Sequence, residues 1–220
     1  TSVDYYFHDK MYAYNLNHSL AKSSGSVFMY KKKKKYRDTI NVTQDELIEN
    51  AYYRQFLVSW LDLTSKYRIA EGIINHEDNI FINTQLDIIK DHLTGKIKEY
   101  ATYKALEHQI TIFGHESSGE MLKYFHRTCQ NEVYKEHIDS LFADHREKLS
   151  HFEKKTYKID GRDTLSAYIS YPEKGEKPYP CIIIVHGGGW YIGNPMYRLH
   201  IPRHFNTLDV VSVSIEYRIK

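Results

Sequence analysis

His186-Gly187-Gly188-Gly189-Trp190 is the stretch of this 220-residue sequence whose residue types could do chemistry. Three consecutive glycines let the backbone turn sharply and present its N–H groups outward with no Cβ in the way. Amides fixed in this manner suit a negative charge developing on a tetrahedral intermediate. One such donor contributes about 2.7–4 kcal/mol of transition-state stabilisation. Two other readings use the same residues. One is a glycine turn that serves structure alone. The other is a dinucleotide loop, because Gly187, Gly189 and Gly193 approach its spacing and Glu216 falls where a ribose-binding acid would be. Against the dinucleotide loop, Trp190 and Tyr191 are bulky where a pyrophosphate needs close backbone approach.

The elements around the loop must position it. Cys181 to Val185 is a fully apolar run, the kind buried on both faces of a parallel sheet. Lys155 to Ile159 and Leu165 to Tyr171 read as strands joined through Asp160-Gly161, a turn pair that favours a hairpin. A dinucleotide fold would normally open with the buried strand, not with a hairpin. Met196 to Phe205 reads as a helix and Val210 to Tyr217 as a strand. Hairpin, buried strand, glycine loop, helix and strand together make the opening of an α/β domain. The crossover through the helix predicts that strands 181–185 and 210–217 run parallel in one sheet.

In these residues the sequence resembles the α/β-hydrolase fold, and within it the hormone-sensitive-lipase-like esterases, whose oxyanion loop reads H-G-G-G-[WF] after the third strand. The resemblance covers about residues 153–220. It includes Pro178-Tyr179-Pro180 before the buried strand, and Val211-Ser212-Val213-Ser214-Ile215-Glu216-Tyr217-Arg218, which looks like the fourth strand with its Y-R ending. The resemblance implies a carboxylic-ester hydrolase with a serine mechanism, no metal and no cofactor, acting on a small-molecule or glycan ester. It makes the amides of Gly188 and Gly189 the oxyanion donors. His186, Gly187 and Trp190 become loop-supporting residues, with His186 as the brace. The family's nucleophile sits in a G-x-S-x-G elbow downstream of the fourth strand, followed by an acid and a histidine. No G-x-S-x-G occurs in these 220 residues. The nearest imitation, His115-Glu116-Ser117-Ser118-Gly119, precedes the glycine loop, and Ser118 reads better as a helix cap. We therefore expect a truncated fragment that is inactive alone.

A weaker resemblance concerns residues 1–115. Tyr67 to Phe81, with Glu71-Gly72 leading to Glu77-Asp78, looks like a region of inverting GT-A-type nucleotide-sugar glycosyltransferases. By that resemblance Asp78 is the base that would deprotonate the acceptor hydroxyl. No metal-binding D-x-D is present. The alternative function is thus a glycosyltransferase of surface polysaccharide synthesis with an appended hydrolase domain.

The rest of the chain is expected to be helical or irregular. Two short strands, Val3 to Phe7 and Val27 to Tyr30, precede Lys31 to Lys35, a lysine run read as a solvated turn. Thr43-Gln44-Asp45-Glu46 looks like a capping box opening a helix to about Leu63. A second helix follows Asn83 and carries Leu86, Ile89, Leu93 and Ile97. Residues 118–154 predict one or two amphipathic helices. The expected organisation is a mainly helical α+β region over 1–115, a helical connector over 116–152, and an incomplete α/β-hydrolase domain over 153–220. Composition narrows the partners. Thirty basic and 28 acidic side chains nearly cancel, which gives no global case for nucleic acid. No apolar run is long enough to span a bilayer. Two cysteines, Cys129 and Cys181, make neither a disulfide scaffold nor a metal spacing. They suit a reducing compartment, hence the cytoplasm. The chain begins at Thr1 rather than Met, which predicts a processed protein or an internal piece.

Overall fold

A computed structural model describes residues 42–73, 79–115, 118–160, 163–174, 177–187, 195–196 and 200–218. The strands expected before Tyr30 and the lysine run lie outside the described residues. The chain forms two compact units. One comprises the residues up to Leu106 with Gly119–Lys135, and the other Glu107–Ser118 with Glu136–Lys220.

All regular elements of the first unit are helical among the described residues. A 3-10 turn at Asp45–Leu47 precedes α1 (Ala51–Ala70). The capping box at Thr43 does not open this helix. Asn50 does, its Oδ1 accepting from the amides of Tyr52 at 2.9 Å and Tyr53 at 3.2 Å. Helix α1 also runs past Leu63. It stops where Gly72 takes φ +69°, with Gly72 N donating to Ile69 O and Ile73 N to Arg68 O. That pair of bonds is a Schellman stop. Helix α2 spans Ile80–His92 and α3 spans Gly95–Phe113, so the single helix expected through Ile97 is two. The break has a physical cause: Gly95 holds φ +54°, and Asp45 enters beside it. The Asp45 carboxylate accepts from Ile97 N at 3.2 Å, capping α3 from far away in sequence. A Cβ on Gly95 would lie 1.9 Å from Asp45 Oδ2.

Helix α1 packs on α2, and α2 on α4 (Gly119–Thr128). Phe56, Leu57, Trp60 and Leu61, with Leu86, Ile89 and Phe125, are buried there. Each contributes roughly 1.5–3 kcal/mol when fully buried. Residues 118–154 form two helices, α4 and α5 (Glu132–Ser150). Cys129 is buried between them, whereas Val133 is 71% exposed.

The second unit holds the sheet. Strands β1 (Glu153–Asp160) and β2 (Asp163–Ser170) form the expected hairpin. Strand β3 (Cys181–Val185), helix α6 (His200–Asn206) and strand β4 (Val211–Ile215) follow. The spatial order is β1-β2-β4-β3. Strand β4 is antiparallel to β2, with Ala167 opposite Ile215, and parallel to β3, with Ile183 opposite Val213. The predicted parallel pair is present, and the fold is α/β.

One face of this sheet is covered. Tyr168 and Met196 are buried together there, with Leu149 and Phe152 packed against them. Asn206 closes the crossover: its Nδ2 donates to Ser170 O and to Val210 O, both at 3.0 Å. Ser212 Oγ donates to Pro202 O at 3.1 Å. The other face is open at β3 among the described residues. Ile183 is 63% and Val185 60% exposed, which corrects the expectation that 181–185 is buried on both faces. The run is apolar enough for such burial, but β3 has a neighbour on one side only and no described element over its second face.

Two measurements check this architecture. Asp45→Ala should lower stability in urea unfolding by about 1 kcal/mol through loss of a helix cap. Gly95→Ala should cost about 2 kcal/mol, from the left-handed backbone and the displaced carboxylate. In the Asp45→Ala background it should cost less, because the two residues share one contact. Alkylation with iodoacetamide in native buffer should modify the exposed Cys181 first. Cys129, whose thiol burial pushes its pKa up, should react only when the protein unfolds.

Candidate functional site: the base of the glycine loop

The glycine loop leaves the carboxyl end of β3. Of its residues His186 and Gly187 are described; Gly188, Gly189 and Trp190 lie outside the described residues, as does Asp78. A Cβ on Gly187 would meet nothing within 4 Å, so packing does not require glycine there.

His186 is held from three directions. Its ring stacks on that of Tyr217 with centroids 4.2 Å apart and planes 16° from parallel. Tyr217 Oη donates to the His186 carbonyl at 2.8 Å. His186 Nδ1 lies 2.9 Å from the Gly187 carbonyl. A carbonyl can only accept, so Nδ1 carries the proton. These contacts lie at His186, the residue expected to support the loop; its partner Tyr217 is visible in the sequence only as part of a strand ending.

Tyr217 stands on a fixed base. Glu216 N donates to Ser166 O at 2.9 Å, and Glu216 Oε2 accepts from Ser166 N at 2.7 Å. The Glu216 carbonyl accepts from the Tyr157 hydroxyl. Tyr157 sits where the β1–β2 register shifts between Thr156 and Lys158. The bulge therefore falls at the residue that reaches Glu216. These bonds also commit the Glu216 carboxylate to β2, which removes it from the ribose-binding role of a dinucleotide site. No sequence motif marks Ser166 or Tyr157 as partners of residue 216.

Elsewhere the described residues offer little chemistry. No three His, Cys, Asp or Glu side chains gather to hold a metal ion among them. No helix among them is long and apolar enough to cross a membrane. Ser118, expected as a helix cap, is buried and donates its hydroxyl to His115 O at 2.6 Å. It is turned back toward the preceding turn. His115 and His145 share a hydrogen bond between their Nδ1 atoms at 2.9 Å, and the His115 ring packs edge-on against Phe142.

No protein-family model and no curated protein matches the chain. Among solved structures it is similar to esterase 2 of Thermogutta terrifontis. With the form phosphoramylated by tabun it shares 26% identity over 32% of this chain and 28% of that chain, at a TM-score of 0.31. With the native form the identity is 26% over 32% of this chain and 26% of that one, at a TM-score of 0.30. The chain thus spans under a third of these structures' length.

Glu216→Ala should destabilise the second unit by about 1–3 kcal/mol, since the buried Ser166 amide loses its acceptor. Glu216→Gln, which keeps a side-chain oxygen, should cost less. Thermal unfolding of the two variants decides the point, and no loss in the alanine variant would show that the carboxylate holds nothing.

Proposed function

We propose that residues 153–220 are the opening part of an α/β-hydrolase domain that hydrolyses carboxylic esters by a serine mechanism. The observation that carries this reading is the parallel β3–β4 pair, joined through α6 and preceded by an antiparallel hairpin. This arrangement puts His186 and Gly187, where the glycine run begins, just beyond the carboxyl end of β3. Open α/β sheets bind ligands just outside the carboxyl ends of their strands.

In this reading a serine outside these residues attacks the ester carbonyl, and the carbonyl oxygen takes up negative charge. The amides of Gly188 and Gly189 receive that charge, stabilising the tetrahedral intermediate more than the planar ester. His186 braces the loop, while Gly187 and Trp190 shape it. The substrate is a small-molecule or glycan ester. Neither metal nor cofactor takes part. The edge position of β3 among the described strands supports a sheet that continues, since an exposed, uncharged apolar edge invites pairing with another strand. The lysines of β1 protect the opposite edge: Lys154, Lys155 and Lys158 lie on it. The helical stretch over 116–152 is a connector. Two free cysteines suit a reducing compartment such as the cytoplasm.

The test uses two proteins. The 220-residue chain should show no turnover of short acyl esters above buffer and no titratable labelling by a fluorophosphonate. The complete product of the gene should show both. In it, Gly188→Val and Gly189→Val should each lower kcat about 10²-fold, with a smaller change in KM. Unchanged kcat in both variants would remove the oxyanion role.

A further inference from the structure

We propose that Tyr217 is the positioning residue of the glycine loop, acting through His186 to set the direction of the amides that leave β3. The proposal deepens the ester-hydrolase reading and rests on it for its catalytic consequence, but its structural content stands on contacts alone.

A peptide group is planar, and its N–H lies opposite its C=O. Whatever grips a carbonyl therefore also aims the amide that follows it. Tyr217 Oη–H grips the carbonyl of His186 at 2.8 Å, which aims the amide of Gly187. The stacked ring, at 4.2 Å and 16°, fixes the imidazole in place. That imidazole, through Nδ1–H, grips the carbonyl of Gly187 at 2.9 Å. One tyrosine thus controls two successive peptide planes, one directly and one through the histidine. Glycines need such control, because they have no Cβ to restrict φ and ψ. A loop of glycines left to itself would spread over many orientations, and donors aimed at an oxyanion must be fixed before the reaction.

Tyr217 can do this because its own base does not move with the loop. Glu216 is bonded to Ser166 through both backbone and side chain, and its carbonyl receives the Tyr157 hydroxyl. The loop's orientation is thereby referred to β1 and β2, strands that take no part in the loop itself.

The experiment compares Tyr217→Phe, which keeps the stack and removes the hydroxyl, with Tyr217→Leu, which removes both. In the 220-residue chain, amide chemical shifts and hydrogen exchange are read at Gly187 to Gly189 and, as a control, at Ser212 to Ser214. Tyr217→Phe should move the loop amides and speed their exchange about tenfold, leaving the control amides in place; Tyr217→Leu should do more. Unchanged loop amides in both variants would overturn the proposal whatever the protein's activity. In the complete gene product, Tyr217→Phe should lower kcat about tenfold with KM within about twofold, the pattern of a contact that matters in the transition state. Loop amides that respond while kcat does not would overturn the catalytic part. Wild-type protein without ester turnover, but with responding amides, would sink the hydrolase reading and leave Tyr217 as the loop's positioning residue.

Discussion

The parallel pairing of β3 with β4 is the constraint on which the second unit depends. Parallel neighbours cannot be joined by a tight turn, because the chain must return to the same end of the sheet before the next strand begins. Helix α6 lies on that return path. The loop's position at the carboxyl edge thus follows from strand direction. Asn206 secures the return by bonding β2 and the start of β4 together, at Ser170 O and Val210 O. Small serines on the covered face of β4, Ser212 and Ser214, are buried beneath this crossover. Larger side chains there would push α6 away from the strand.

From that pairing comes the second feature, a relay of contacts ending at the loop. The end of β4 is bonded to β2 through Glu216, and the next residue stacks on the first residue after β3. A glycine-rich segment samples more conformations than any other, so order has to be imported from its neighbours. Here it comes from a phenol ring, an imidazole and two carbonyls, none of which lies in the glycine run except the carbonyl of Gly187.

The first unit shows the same logic in a different setting. Asp45 stands in a short 3-10 turn and caps a helix that begins at Gly95. The glycine accommodates both a left-handed backbone and the incoming carboxylate. In both units a glycine position has its meaning from a residue distant in sequence.

By itself the sequence determined the pieces whose physics is local. The Asp160-Gly161 pair marked the hairpin, the apolar run marked β3, and the glycines marked a loop after it. The stretch Val210 to Tyr217 marked β4, and the crossover through a helix predicted that β3 and β4 run parallel. Helical periodicity also found Leu86 and Ile89 on the buried face of α2. Tertiary structure alone decided matters that depend on groups brought from elsewhere. Thr43 and Asn50 are both competent helix caps by type, and the structure caps α1 with Asn50 while Asp45 bonds Ile97 N. Leu93 and Ile97 keep a helical spacing across a break that Gly95 imposes. Cys181 to Val185 is apolar on both faces, but burial needs cover on both faces, and composition says nothing of what lies above a strand. The grip of Tyr217 on His186 joins residues 31 apart. No local pattern could announce it, since stacking and a hydroxyl-to-carbonyl bond require only proximity, and proximity is what the sheet supplies.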